Sequence, residues 1–409
     1  MHSVMKCQIC DSTSVSKFFS LGHHPPCDSF LSESQLSKPE TYYPLDLFFC
    51  NDCSLVQIGH VVDPIILFEE EYAYNSGSNK ALVQNFKDLA DKSVSRFNLN
   101  NSDLVIDIGS NDGSLLNSFI GHGVRVLGVE PTGNCILALA KGIPTLKNFF
   151  NMHVANNILS NYGNSRFITA TNVFAHVVDI HGFVDGVKSL LSDDGVFVSE
   201  SHHILSLLKE SQYDSVYHEH LRNYSLKPLI KLFEMHDMDV FDVELISSHG
   251  GSIRVYSSKK GAFSISDNVQ KVIDLENSEG VYSLNTYLEF GSKALKCRNE
   301  LKQLLFELKN DGKSIVGIGA PAKGNTLLNY CRIMPDTLDY LADVSNFKIG
   351  KYSPGLHIKV VDEEKMFEDQ PDYGLLLSWN IKDIIIPKLK ARGFKGKFII
   401  PVPTPHIVE

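Results

Sequence analysis

The rhythm of apolar and polar positions changes along the chain and divides it into three units. Up to about residue 75 the sequence is rich in Cys, Pro and aromatics and shows little helical periodicity. From about 80 to 200, short apolar runs (Leu104–Ile108, Val124–Val129, Phe167–Thr171 and Val196–Glu200) alternate with helix-like segments. Such alternation predicts a mainly parallel sheet covered by helices. After a mixed stretch to about 280, Leu284, Tyr287, Leu288, Gly291, Leu295, Arg298, Leu301, Leu305 and Leu308 recur at spacings of three and four. That is the buried stripe of one long helix, which Asn310-Asp311-Gly312 is suited to stop. A second α/β pattern follows, with strands predicted at Ser314–Ile318, Leu338–Ala342, Leu375–Leu377 and Phe398–Ile400. The expected units are residues 1–75, 76–248 and 249–409.

Composition narrows the function. The chain has 409 residues, 43% hydrophobic and 21% charged, which excludes a mainly disordered or fibrous protein. Lys and Arg number 38 against 48 Asp and Glu, a formal charge of −10. A chain this acidic has no general attraction for nucleic acid or anionic membrane, although a local basic pocket remains open to it. The opening Met1-His2-Ser3-Val4-Met5-Lys6 is too polar for a signal peptide, and no apolar run approaches membrane-spanning length. The expectation is a cytoplasmic protein, in which eight cysteines read as thiols or metal ligands rather than disulfides.

Cys7-x-x-Cys10 and Cys50-x-x-Cys53 are two such pairs. Each can place two thiolates on one tight turn, and together they complete the closed tetrahedral set of structural Zn²⁺. The polar residues around them (Asp11-Ser12, Asn51-Asp52) suit a knuckle. A redox dithiol would need only one pair, beside a βαβ unit. Four thiolates leave no position for water, so zinc catalysis is not expected. Cys27, Cys135, Cys297 and Cys331 are isolated and read as core residues.

The central signal is Leu104-Val105-Ile106-Asp107-Ile108-Gly109-Ser110-Asn111-Asp112-Gly113. An apolar strand enters a Gly-rich turn where Gly109 and Gly113 permit close backbone approach. The next strand ends in Glu130, placed to accept ribose hydroxyls. A dinucleotide loop wants Gly where Asn111 stands, and the following carboxylate of Asp112 would repel a pyrophosphate. It suits the sulfonium and amino group of S-adenosylmethionine instead. After the third strand come Asn172, Phe174 and His176, at the carboxyl end of the sheet, where ligands bind.

Tyr217-His218-Glu219-His220 packs four titratable groups together, flanked by Val216 and Leu221. An imidazole there can take a proton near neutral pH. Spacing does not choose between His218 and His220. Tyr72 and Tyr74 form a second polar-aromatic segment.

With the paired cysteines, Asp107-x-Gly109-Ser110-Asn111-Asp112-Gly113, Asn172-x-x-Ala175-His176, Tyr217-His218-Glu219-His220, His249-Gly250-Gly251-Ser252-Ile253-Arg254 and Gly317–Gly324 in this order, the chain resembles the zinc-containing sugar C-methyltransferases from Cys7 to Pro405. The resemblance implies a multidomain α/β protein: a small Cys₄ zinc-binding domain, a class I methyltransferase Rossmann-like domain and a C-terminal Rossmann-like domain. It implies a nucleotide-linked 4-keto-deoxy sugar as substrate, with dTDP or else GDP as the nucleotide and methylation at C3, and it allows a monomer. It also implies that His220 is the base, assisted by Tyr217 and Glu219, with Asn172 and His176 at other active-site positions and Tyr72 or Tyr74 facing substrate.

In the C-terminal unit, Gly319-Ala320-Pro321-Ala322-Lys323-Gly324 opens a helix and Asp343 closes the next strand. The resemblance gives this unit the substrate's nucleotide, with Lys323 or Lys348 meeting the diphosphate. His249 sits in a tight turn or at the substrate, and Arg254 is either an ion-pair partner or a phosphate contact. The rival functions are an O- or N-methyltransferase, which needs no enolising base, and a non-catalytic sugar-nucleotide binding protein.

Overall fold

The computed structural model describes residues 5–68 and 75–409. Three sheets carry the architecture. The N-terminal unit is antiparallel: Val15–His24, Tyr43–Cys50 and Val56–Ile58, with Arg222–Asn223 added at its edge. This last pair comes from just beyond the Tyr217–His220 segment, so the small unit holds the end of that segment in register, Val56 opposite Asn223 and Gln57 opposite Arg222.

The second sheet has seven strands, in the order Met238–Ile246, Ser252–Lys259, Leu191–His202, Ser165–Thr171, Leu104–Ile108, Arg125–Val129, Thr145–Leu146. The last five are mutually parallel, and Ser252–Lys259 runs antiparallel to both of its neighbours. All five residues of Leu104–Ile108 are buried, which is why the strand reads as a continuous apolar run. The chain runs outward from Leu104–Ile108 to Thr145–Leu146 and then returns to its other side with Ser165–Thr171. That reversal opens a crevice between Gly109 and Asn172 at the carboxyl ends of the strands. Beyond the expected boundary at 248, Ser252–Lys259 pairs with Leu191–His202 from Ser252↔His202 to Ser258↔Val196, inside this sheet. Antiparallel pairing of this kind leaves no mark in local periodicity, so a mixed stretch of sequence can belong to the preceding sheet.

The third sheet runs Val360–Asp362, Leu341–Asp343, Ile315–Ile318, Tyr373–Leu376, Lys397–Ile400, His406–Val408, parallel except for the last pair. The long helix is real and spans Leu284–Asn310. It does not pack on its own sheet alone. Phe290 meets Phe19 at 5.8 Å between ring centroids, and Tyr287 meets Phe18 and Phe49, each at 5.1 Å. A Cβ on Gly291 would stand 3.2 Å from the Phe19 ring, so glycine lets the helix lie close against the N-terminal strand. One hydrophobic core therefore joins the first and third units. Among the described residues, no helix is long and apolar enough to cross a membrane.

Candidate active site and zinc centre

The four N-terminal cysteines converge. Their sulfurs lie within 4.8 Å of one another, Cys7 to Cys53 at 3.5 Å and Cys10 to Cys50 at 3.6 Å. A tetrahedron with Zn–S of about 2.3 Å has edges of about 3.8 Å, so the donor set fits Zn²⁺. Both turns have the same build. Asp11 N–H donates to the Cys7 carbonyl and Ser54 N–H to that of Cys50, with Asp11 and Ser54 in the left-handed region. Cys27, Cys135, Cys297 and Cys331 are buried.

A cavity of about 330 Å³ fills the crevice of the seven-stranded sheet. Asp107, Gly109, Asn111, Glu130, Asn172 and His176 all line it. Glu130 is fixed at the end of its strand. One oxygen accepts from the Asn111 N–H at 2.9 Å, the other from the Thr132 N–H at 2.9 Å and its hydroxyl at 2.6 Å. Asp107 lies beneath, accepting from the Thr169 hydroxyl at 2.7 Å. Burial, reinforced by the charge of Glu130, pushes its carboxyl up to about 7. The cavity wall carries carboxylates at Asp107, Glu130 and Asp179 and no Lys or Arg among the described residues. Such a wall suits a cation and repels a pyrophosphate, as S-adenosylmethionine requires.

Two expectations change here. Asp112 does not face the cavity; its carboxylate pairs with Lys141 at 2.8 Å and accepts from the Ser114 hydroxyl at 2.7 Å. Its charge is neutralised inside the fold, and Asp107 and Glu130 supply the negative wall instead. Gly109 and Gly113 have φ of +72° and +77°, but protein crowds them: an added Cβ would lie 2.3 Å from Val173 and 2.6 Å from Ile143. Their glycines serve the turn and its packing.

His176 sits where the cavity opens toward the Tyr217–His220 segment. Its ring lies 5.0 Å from that of His220, and the Tyr217 ring 4.1 Å from His220 on another side. His220 Nδ1 donates to the Ser215 carbonyl at 3.0 Å, which puts the lone pair of the neutral ring on Nε2. Burial first, and then the neighbouring His220, hold His176 well below the usual imidazole range. His218 turns the other way, toward Tyr43 of the N-terminal sheet, and burial holds it at about 4. Glu219 is buried with its carboxylate 3.8 Å from the Cys27 sulfur. Tyr72 and Tyr74 lie outside the described residues, as does the His249 side chain; Ser248–Gly250 is a short helical turn.

Arg254 resolves as an ion-pair partner, correcting its placement at the substrate. It is buried, and its guanidinium holds Glu200 at 2.8 Å and Asn85 at 2.9 Å. Asp343 accepts from the Ala320 and Ser345 N–H groups at 2.6 and 2.8 Å and shapes the C-terminal loop. Lys348 donates to the Ala320 carbonyl at 2.8 Å, and the Lys323 ammonium lies 5.2 Å over the Trp379 ring. The sequence reading missed His202. It ends the strand Leu191–His202, burial holds it at about 3, and the charge of His220 adds to that shift. Its position at the carboxyl end of a parallel strand was the available signal.

Known proteins match along the whole chain. Residues 7–68 match a zinc binding domain family, 80–242 a methyltransferase domain family, and 247–403 the C-methyltransferase C-terminal domain family. The C-methyltransferase NovU of Streptomyces niveus is 34% identical over 99% of this chain and 97% of its own. Among solved structures, an S-adenosylmethionine-dependent methyltransferase from Clostridium acetobutylicum aligns with 44% of this chain and 92% of its own, at 14% identity and a TM-score of 0.36. Magnesium protoporphyrin IX methyltransferase from Synechocystis with bound SAH aligns with 44% and 88%, at 14% identity and a TM-score of 0.35. The chain belongs to the zinc-binding, S-adenosylmethionine-dependent C-methyltransferases.

Proposed function

We propose that this C-methyltransferase acts on a nucleotide-linked 4-keto-deoxy sugar, at the carbon next to the ketone (C3), with His220 as the base. The observation that carries the reading is the gathering of His176, Tyr217 and His220 beside the cofactor cavity, with ring separations of 4.1 and 5.0 Å. A saturated carbon has no lone pair, so it must first lose a proton. The ketone makes that proton acidic because the electron pair of the broken C–H bond delocalises onto oxygen. Nε2 of His220 takes the proton while Nδ1 stays anchored on Ser215, so the ring does not swing as it becomes cationic.

His176 stays neutral beside the new imidazolium and offers an N–H to the enolate oxygen, as does the Tyr217 hydroxyl. Donors of this kind are worth roughly 2.7–4 kcal/mol each. Bound S-adenosylmethionine supplies the electrophilic methyl group that such a carbon accepts. Asp107, Glu130, Asn111 and Asn172 hold that cofactor and keep it in register with the base. The C-terminal domain takes the nucleotide.

Mass spectrometry of methyl transfer from labelled cofactor to a panel of dTDP- and GDP-linked 4-keto sugars tests the substrate. Exchange of the substrate α-proton with deuterium, measured without cofactor, tests the chemistry. An O- or N-methyltransferase would leave that proton in place.

A further inference from the structure

A second cavity, of about 240 Å³, lies between the N-terminal strand Val15–His24 and the helices Leu284–Asn310 and Ala322–Cys331. Its wall includes Ser20, His23, His24, Arg298, Asn329 and Arg332, and no carboxylate. Asp46, which touches Ser20, is already ion-paired to Lys17 at 2.7 Å. The chain has eight arginines. Arg96, Arg166, Arg254 and Arg392 hold carboxylates, while Arg125 and Arg222 hold backbone carbonyls. The two whose side chains have neither an ion pair nor a hydrogen bond among the described residues both face this cavity.

Arg298 is the odd residue of the long helix, a guanidinium in a stripe otherwise built for packing. Its guanidinium carbon lies 4.9 Å from the centre of the Tyr330 ring, and its buried Nε–H has no acceptor among the described residues. A buried N–H without a partner is costly, and an oxyanion removes that cost. Two unpaired guanidiniums on a wall without carboxylates match phosphoryl oxygens in charge and fork geometry.

We propose that this cavity is an anion site for a phosphate or diphosphate group, gripped by Arg298 and Arg332. His24 and Asn329 also pack in a closed crevice, too small for a water, whose far wall includes Tyr217, so the site adjoins the back of the catalytic segment. The anion is the diphosphate of the substrate nucleotide, and this assignment of its source rests on the function proposed above. The grip then lies on these arginines rather than on Lys323 and Lys348, whose ammonium groups are engaged at Trp379 and Ala320.

Calorimetry of the full-length zinc-loaded protein with dTDP, GDP and inorganic phosphate tests it. Arg298→Gln and Arg332→Gln are each expected to weaken nucleoside diphosphate binding at least tenfold while S-adenosylmethionine affinity stays within twofold. The exposed Arg332 variant guards against misfolding of the half-buried one. Loss of phosphate binding with dTDP and GDP unaffected supports an anion site but assigns it to free phosphate. Unchanged binding of all three anions in both variants overturns the proposal, as does their failure to bind the unmodified protein. Methyl-transfer assays on the keto-sugar panel report separately, so a failed substrate reading leaves the anion result standing.

Discussion

His176 and His220 face each other with ring centroids 5.0 Å apart and planes inclined at 64°, one from the loop after a parallel strand, the other from a segment held by the N-terminal sheet. Only one of the pair can carry charge without repulsion, and burial keeps His176 neutral. His220→Asn should therefore bind S-adenosylmethionine within twofold of the unmodified protein and lose methyl transfer by about 10²–10⁴-fold, the range for a general base. Near-normal turnover in this variant would remove His220 from the base's role.

The proposed cofactor pocket carries its own pH signature. Asp107 is raised to about 7, chiefly by burial, so its carboxylate is charged above that pH and protonated below it. A cationic cofactor therefore binds more tightly as pH rises through 7 and several-fold more weakly as it falls toward 6. Asp107→Asn should flatten this dependence. Calorimetric titration from pH 6 to 8 measures it, and an equally steep slope in the variant would place the titrating group elsewhere.

Zinc is a staple here, because four thiolates leave no open coordination position. Elemental analysis should find one zinc per chain, and cobalt substitution should preserve turnover while adding thiolate charge-transfer absorption. Cys53→Ser should destabilise more than the N-terminal unit, since that unit shares its core with the long helix. Calorimetric scanning should show a common transition shifted downward. A change in turnover that tracks metal identity would contradict the structural role.

Arg254 and Glu200 form a buried pair, opposite each other on the adjacent strands Ser252–Lys259 and Leu191–His202. Removing one partner strands the other charge, at about 3–5 kcal/mol. Arg254→Leu should lose that much stability in urea titrations while nucleotide affinity in the folded fraction holds. A large rise in KM at unchanged stability would return Arg254 to the substrate.

Much was legible in the chain because it is encoded locally. The cysteine pairs fold on their own turns, the Gly109–Gly113 loop follows its strand, and the three-and-four spacing from Leu284 makes a helix wherever it is placed. These patterns set the zinc centre, the cofactor class and the α/β architecture. What the tertiary structure alone decided was direction and partnership. Asp112 turns to Lys141, Arg254 finds Glu200, His202 approaches His220, and Ser252–Lys259 joins the methyltransferase sheet. Whether a polar side chain faces a ligand or a neighbour depends on which desolvated group elsewhere in the chain needs its charge or hydrogen bond. Local spacing carries no record of that, because the partner is brought near only when the whole fold closes.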